Sequence, residues 1–160
     1  GDVFRFYEIN PLVVTMARRD FGYLGRSAAR IEIVEGDARL RLAEEAPGEY
    51  DFLIVDAFSG DSIPMHLLTR EAFALYRRHL KRDGTLAVHI SNQYLTLEPA
   101  VRALAADAGW NAAKVVSAAQ PAAGALGATW MVMTGRRAEG GREAFPVWTD
   151  DRSSVLRVLK

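Results

Sequence analysis

An α/β fold built on a mostly parallel sheet is what this sequence predicts, on three observations. Apolar strand-like runs alternate with helical stretches, the clearest strand run carries no polar alternation, and the last two strands follow one another with no helix between them. Strand–helix alternation with two-sided strands places helices on both faces of a parallel sheet. The final pair reads as an antiparallel hairpin.

Each element has its own justification. "VFRFYEI" (3–9) reads as a strand, and "NPLVVTMARRDFG" (10–22) as a helix. Asn10 can cap that helix, Pro11 suits its first position, and Gly22 can stop it. "ARIEIVEGD" (29–37) is a strand with Ile31, Ile33 and Val34 apolar, and "ARLRLAEEA" (38–46) is a short helix capped by Asp37. "YDFLIVDAF" (50–58) is a strand expected to be covered on both faces. "TREAFALYRRHLKRDG" (69–84) is a helix with Thr69 as cap, Phe73, Tyr76 and Leu80 as its stripe, and Gly84 as its stop. "TLAVHIS" (85–91) is a strand, and "TLEPAVRALAADAG" (96–109) a helix with Val101, Leu104, Ala105 and Ala108 on one face. "WNAAKVVSA" (110–118) and "ATWMVMTG" (128–135) are the last strands, joined by the loop "AQPAAGALG". Residues 136–160 read as a polar connector and a tail that packs on the preceding domain.

Composition narrows the function classes. The chain has 160 residues, 49% of them hydrophobic, enough for one domain with a real core. Twenty basic and twenty acidic residues balance to zero net charge, which argues against a general nucleic-acid or anionic-membrane surface. With no cysteine, disulfides, thiolate metal sites and thiol nucleophiles are excluded. No apolar run approaches the ~20 residues that span a bilayer, and no signal peptide is visible. The first residue is not Met and the chain opens almost directly into a strand, so the expectation is a start inside a domain.

In open α/β sheets ligands bind beyond the carboxyl ends of the strands. The residues to inspect there are Glu8, Asp37, Asp56 and Ser91. Glu8 can accept both hydroxyls of a ribose, or it is simply a solvated strand end. Asp37 can accept from an adenine amino group, and it can equally cap the helix behind it. Asp56 is either a base or a turn former that satisfies its own loop. Jointly the three acids describe one nucleoside laid across the strand ends, with one carboxylate left for a reacting group.

"YEINP", "VEGDAR", "YDFLIVDAFSGDSIPMHLLT" and "LKRDGTLAVHISN" resemble the spermidine synthase-like (polyamine aminopropyltransferase) branch of the S-adenosylmethionine-dependent methyltransferase superfold. The likeness runs from about Val3 to Gly135, with 56–69 as its most specific part, and the tail "VWTDDRSSVL" resembles the bacterial variety fused to a transporter-like membrane region. The resemblance implies a Rossmann-like methyltransferase sheet and a partial nucleoside-binding transferase domain over 1–135. It implies ribose contact by Glu8, adenine contact by Asp37 with Ala38, and general-base catalysis by Asp56. The donor would be decarboxylated S-adenosylmethionine or S-adenosylmethionine, with no metal, and the partner a small-molecule amine. A lysine-like ammonium has a pKa of ~10.4, so a carboxylate able to hold it and take its proton fits that acceptor.

Two departures stand out. Polyamine-forming relatives carry a second acid three residues after the base, where this chain has Ser59; Asp61 is the nearest substitute. The Gly-rich strand–turn–helix that cradles the donor is expected before "VFRFYEI", in the middle of the sheet, and is not among these residues. Either a further segment completes the sheet, or the flanking strands pair directly and distort the site.

Other residues carry weaker signals. His66 reads as a gate or acceptor contact, or as a plain loop residue. His89 reads as a satisfied core histidine and His79 as part of a solvated helix face beside Arg77 and Arg78. Gln93 and Tyr94, after Asn92, line an acceptor pocket or a polar loop. Trp130 is expected in the core, while Trp148, Asp150 and Asp151 cover the site or seal the domain. No metal-ligand spacing and no G-x-S-x-G elbow are present. The leading reading is aminopropyl transfer; the alternatives are methyl transfer and a non-catalytic nucleoside or polyamine sensor. The expected location is the cytoplasm, alone or as the cytoplasmic domain of a membrane protein. The expected partners exclude nucleic acid and any membrane contact by this segment itself, with homo-oligomerisation and membrane fusion left open.

Overall fold

Two units divide the chain between Ala46 and Pro47. The structure, a computed structural model, describes residues 1–57, 64–135 and 144–160. The first unit holds β1 (Val3–Glu8), α1 (Pro11–Asp20), α2 (Tyr23–Arg26), β2 (Arg30–Glu35) and α3 (Ala38–Glu44). The second holds β3 (Tyr50–Val55), α4 (Arg70–His79), β4 (Leu80–His89), α5 (Glu98–Asp107), β5 (Asn111–Ser117) and β6 (Ala128–Thr134), with short 3-10 turns at Met65–Leu67, Pro121–Ala123 and Val155–Arg157.

In the first unit β1 and β2 pair in parallel, from Val3 opposite Arg30 to Glu8 opposite Glu35. Period-two alternation on β1 splits Phe4 and Phe6, both exposed, from Arg5 and Tyr7, which are half-buried. Arg5 binds Glu32 across the ladder at 2.7 Å and Glu45, just after α3, at 2.6 Å, while Tyr7 donates to Glu45. Burial works against the Arg5 charge, yet the hydrogen bonds to Glu45, Glu32 and Tyr7 hold its pKa above the ordinary value. This network ties the C-terminal end of α3 to the sheet.

In the second unit the strand order is β3-β4-β6-β5. β3 and β4 are parallel; β6 is antiparallel to both β4 and β5. The expected antiparallel hairpin is therefore present, with its second strand inserted next to β4. Helices α4 and α5 pack on each other and on the sheet, over a core of Phe73, Tyr76, Leu86, Val88, Leu97, Val101, Leu104, Met131 and Met133. Phe73 sits between Tyr76 and Trp110, with ring centroids at 5.9 and 6.0 Å.

The elements follow from their local chemistry. Asn10 caps α1 through the Leu12 amide, Asp37 caps α3 through Leu40, and Thr69 caps α4 through Ala72. Basic residues close α1 (Arg18, Arg19) and α4 (Arg77, Arg78), complementing the helix dipole.

Three expectations are corrected. First, helix α4 ends at His79 rather than at Gly84, and Leu80 already belongs to β4. Gly84 serves the sheet instead: a Cβ there would meet Tyr50 O at 2.9 Å and Lys81 O at 3.0 Å, at the register shift between Tyr50 and Phe52. Second, β3 is not covered on both faces. Leu53 and Val55 are half-buried, whereas Phe52 and Ile54 are 70% and 63% exposed, because both helices of this unit that pack on the sheet also pack on each other and so share one face. Among the described residues β1 pairs with β2 alone and β3 with β4 alone. Third, His79 is fully buried and not on a solvated face. It terminates α4, stacks on Tyr50 and accepts the Gly48 amide through Nδ1 at 3.1 Å, a bond that satisfies a ring nitrogen taken out of water.

Candidate functional site

The first unit brings Glu8 and Asp37 to one carboxyl edge. Glu8 is the last residue of β1, and its carbonyl accepts the Gly36 amide at 2.9 Å, so the turn after β2 is tied to the end of β1. The Glu8 carboxylate accepts the Asn10 amide through Oε1 at 2.8 Å. A carboxylate offers about four lone-pair sites, so this bond orients the group without exhausting it. Gly36 has φ +132°, a conformation open to glycine, and this turn aims Asp37 at the start of α3. Asp37 accepts the Leu40 amide through Oδ1 at 3.0 Å, and Ala38 is the first residue of the helix, half-buried like Asp37. Asp37 is thus the cap that the sequence suggests, at the edge where a ligand-binding residue would stand.

The second unit builds a chain of groups around Asp56. β3 ends at Val55, paired with Val88, so Asp56 emerges beside His89, the last residue of β4. His89 Nδ1 lies 2.7 Å from Asp56 Oδ1, and His89 Nε2 lies 2.7 Å from Ser91 Oγ. Ser91 Oγ in turn accepts the Thr129 amide at 2.7 Å. The imidazole stacks on Trp130, its cross-strand partner on β6, with centroids 4.7 Å apart and planes at 26°. Exposure rises along the chain: the His89 side chain is 20% exposed and that of Asp56 54%. A small apolar crevice beside it is lined by Val55, Ala57, Pro64, Leu67, Leu68, Val88 and His89.

This chain changes two readings. His89 is satisfied, as expected, but by the candidate base itself. Trp130 is half-buried and forms a clamp on His89. The signal available in the sequence was the parallel pairing of 50–58 with 85–91, which brings the ends of both strands together. What was missing was the register that places Asp56 opposite His89.

The remaining acceptor-side residues are framed by the tail. Gln93 and Tyr94 are exposed, in a loop turned by Asn92, whose side chain accepts the Tyr94 and Leu95 amides at 2.9 and 2.8 Å. The C-terminal residues run along this loop: Thr96 donates to Val158 O, Lys160 N to Tyr94 O, and Lys160 Nζ to Asn92 O. Upstream in the tail, Trp148 is buried, its carbonyl accepts the Arg70 amide, and Asp150 binds Thr69 Oγ1 at 2.8 Å. His66 is exposed on the 3-10 turn before α4, a turn held by Tyr76, whose hydroxyl donates to Leu67 O at 3.0 Å. Ser59 and Asp61 lie outside the described residues. Among the described residues no cluster of three or more His, Asp or Glu is placed to hold a metal ion, and no helix is long and apolar enough to cross a membrane.

No protein-family model matches the chain. The polyamine aminopropyltransferase of Vibrio vulnificus (strain CMCP6) is 36% identical over 84 residues, a stretch covering 51% of this chain and 27% of that protein. Among solved structures, a probable spermidine synthase from Corynebacterium glutamicum ATCC 13032 superposes with a TM-score of 0.62 at 21% identity, over 81% of this chain and 46% of that one. Human methyltransferase-like protein 13 in complex with SAH superposes with a TM-score of 0.60 at 17% identity, over 89% of this chain and 64% of that one. The chain spans less than half the length of the two polyamine-type relatives. Its fold is a mixed α/β, Rossmann-like methyltransferase fold.

Proposed function

We propose that the protein carrying this chain is an aminopropyltransferase of the spermidine synthase type. It would move an aminopropyl group from decarboxylated S-adenosylmethionine to a small amine. The observation that carries this reading is Asp56: a half-exposed carboxylate at the carboxyl end of β3, held in one orientation by His89. The sequence likeness to an aminopropyltransferase supports it.

In this account Glu8 accepts the ribose hydroxyls of the donor, and Asp37 with Ala38 meets its adenine. Asp56 holds the acceptor ammonium and takes one proton from it. The freed nitrogen lone pair attacks the propyl carbon bonded to the sulfonium. The C–S bond breaks with its electron pair going to sulfur, and methylthioadenosine leaves as a neutral thioether. The donor arrives with its leaving group already activated, so alignment and deprotonation are the contributions asked of the protein. Ser59, Asp61, His66, Gln93 and Tyr94 are assigned to the acceptor side. We assign the protein to the cytoplasm, alone or as the cytoplasmic domain of a membrane protein, the second form resting on the resemblance of its tail to the variety fused to a transporter-like membrane region.

Methyl transfer from S-adenosylmethionine is the second reading, favoured by the fold shared with a methyltransferase-like protein in complex with SAH. One experiment separates the two. The intact protein is titrated calorimetrically with methylthioadenosine and with S-adenosylhomocysteine, then incubated with each donor and a panel of amines under mass-spectrometric detection. A mass gain of one aminopropyl group on an amine supports the proposal. A methyl gain supports the second reading, and failure to bind either nucleoside overturns both.

A further inference from the structure

We infer that His89 is a positioning residue for Asp56, held as a neutral imidazole in its Nδ1–H form by a relay that starts at the Thr129 backbone. The inference rests on the reading of Asp56 as a base. In this relay the hydrogen-bond directions are assigned as follows. The Thr129 amide can only donate, so it occupies one lone pair of Ser91 Oγ. Ser91 Oγ keeps its own hydrogen and a second lone pair, and the relay assigns that hydrogen to His89 Nε2 at 2.7 Å. An Nε2 that accepts leaves the proton of the neutral ring on Nδ1, which donates to Asp56 Oδ1 at 2.7 Å. Each bond of the chain then runs in a direction its groups' chemistry allows.

The relay is anchored at its buried end and ends in solvent. Thr129 is on β6, Ser91 follows β4, and Trp130 stacks on the ring between them. One side of the Asp56 carboxylate is therefore fixed by backbone-supported contacts while its side chain stays 54% exposed. A neutral donor suits an amine acceptor. It holds the carboxylate as an arginine would, but places no positive charge beside an incoming ammonium. With Oδ1 held, Oδ2 is the oxygen presented to the acceptor nitrogen, and a base fixed this way starts near its reactive orientation.

The test has a spectroscopic and a kinetic arm, both on the intact protein. Nitrogen-15 NMR of the imidazole at neutral pH is expected to show a protonated Nδ1 and an unprotonated Nε2, with Ser91→Ala moving the Nε2 resonance. An Nε2–H tautomer, or an Nε2 indifferent to Ser91→Ala, overturns the inference. In kinetics His89→Ala is expected to lower kcat about 100-fold with the donor KM within about twofold, the pattern of a misaligned group rather than a lost binding contact. His89→Gln, whose amide can donate to Asp56, is expected to recover kcat to within about tenfold of the parent. Parent-level turnover in His89→Ala, in a protein that Asp56→Asn inactivates, overturns the inference and leaves the function reading standing. If the protein shows no turnover with any donor, the function reading fails and the NMR arm alone decides the relay.

Discussion

Asp56 directly follows β3 and His89 ends the neighbouring parallel strand β4, and the 2.7 Å bond between Oδ1 and Nδ1 joins a solvent-facing carboxylate to the hydrogen-bonded interior of the sheet. The acid sits at the loop edge where α/β sheets bind ligands. Its partner is held by Ser91 and Trp130, side chains supplied by the segment after β4 and by β6. The consequences for ligand binding, stability and catalysis can be measured separately.

Gly36 places Asp37, and glycine is required there. Its φ is +132°, and an added Cβ would lie 2.7 Å from Arg41 Nε, whose own bond is to the Glu35 carbonyl. Gly36→Ala is expected to destabilise the protein by about 1–3 kcal/mol in urea denaturation and to weaken nucleoside binding in calorimetry. Gly25→Ala is the control: nothing lies within 4 Å of its added Cβ, and removing a helical glycine is expected to be neutral or stabilising by up to about 1 kcal/mol. Equal losses in the two variants would contradict the account.

Glu98 fastens α5 to β5. It binds Lys114 at 2.7 Å and Arg102 at 2.8 Å. The Lys114 hydrogen bond is the largest effect on its acidity; partial desolvation opposes it and Arg102 adds to it, and together they hold the pKa below the ordinary 4.5. A carboxyl with a lowered folded pKa contributes stability that is present above its unfolded value and is lost as pH falls through the folded one. The Tm gap between the parent and Glu98→Gln is therefore expected to be full at neutral pH and to shrink below pH 4.5. A gap that widens on acidification would contradict this.

The element order of the fold was legible because caps and punctuation are local. Asn10, Asp37 and Thr69 each bond the amide two or three residues ahead, and such bonds depend on nothing distant. Gly84 misled because glycine serves both as a helix stop and as a site of close backbone approach, and which applies depends on Tyr50 across the ladder. His79 beside two arginines looks like surface, but its burial comes from Gly48 and Tyr50, some thirty residues away. At the site, the strand-end acids could be found from the pattern alone. The His89 relay could not, since it depends on the β3–β4 register and on β6 lying next to β4.

The central claim is that the Asp56 carboxylate takes a proton from the acceptor, and Asp56→Asn in the intact protein tests it most directly. Asparagine keeps the size of the side chain and removes its basicity. The expected result is a fall in aminopropyl transfer of at least about 100-fold, with methylthioadenosine affinity by calorimetry unchanged. Turnover at the parent rate in Asp56→Asn would contradict the account.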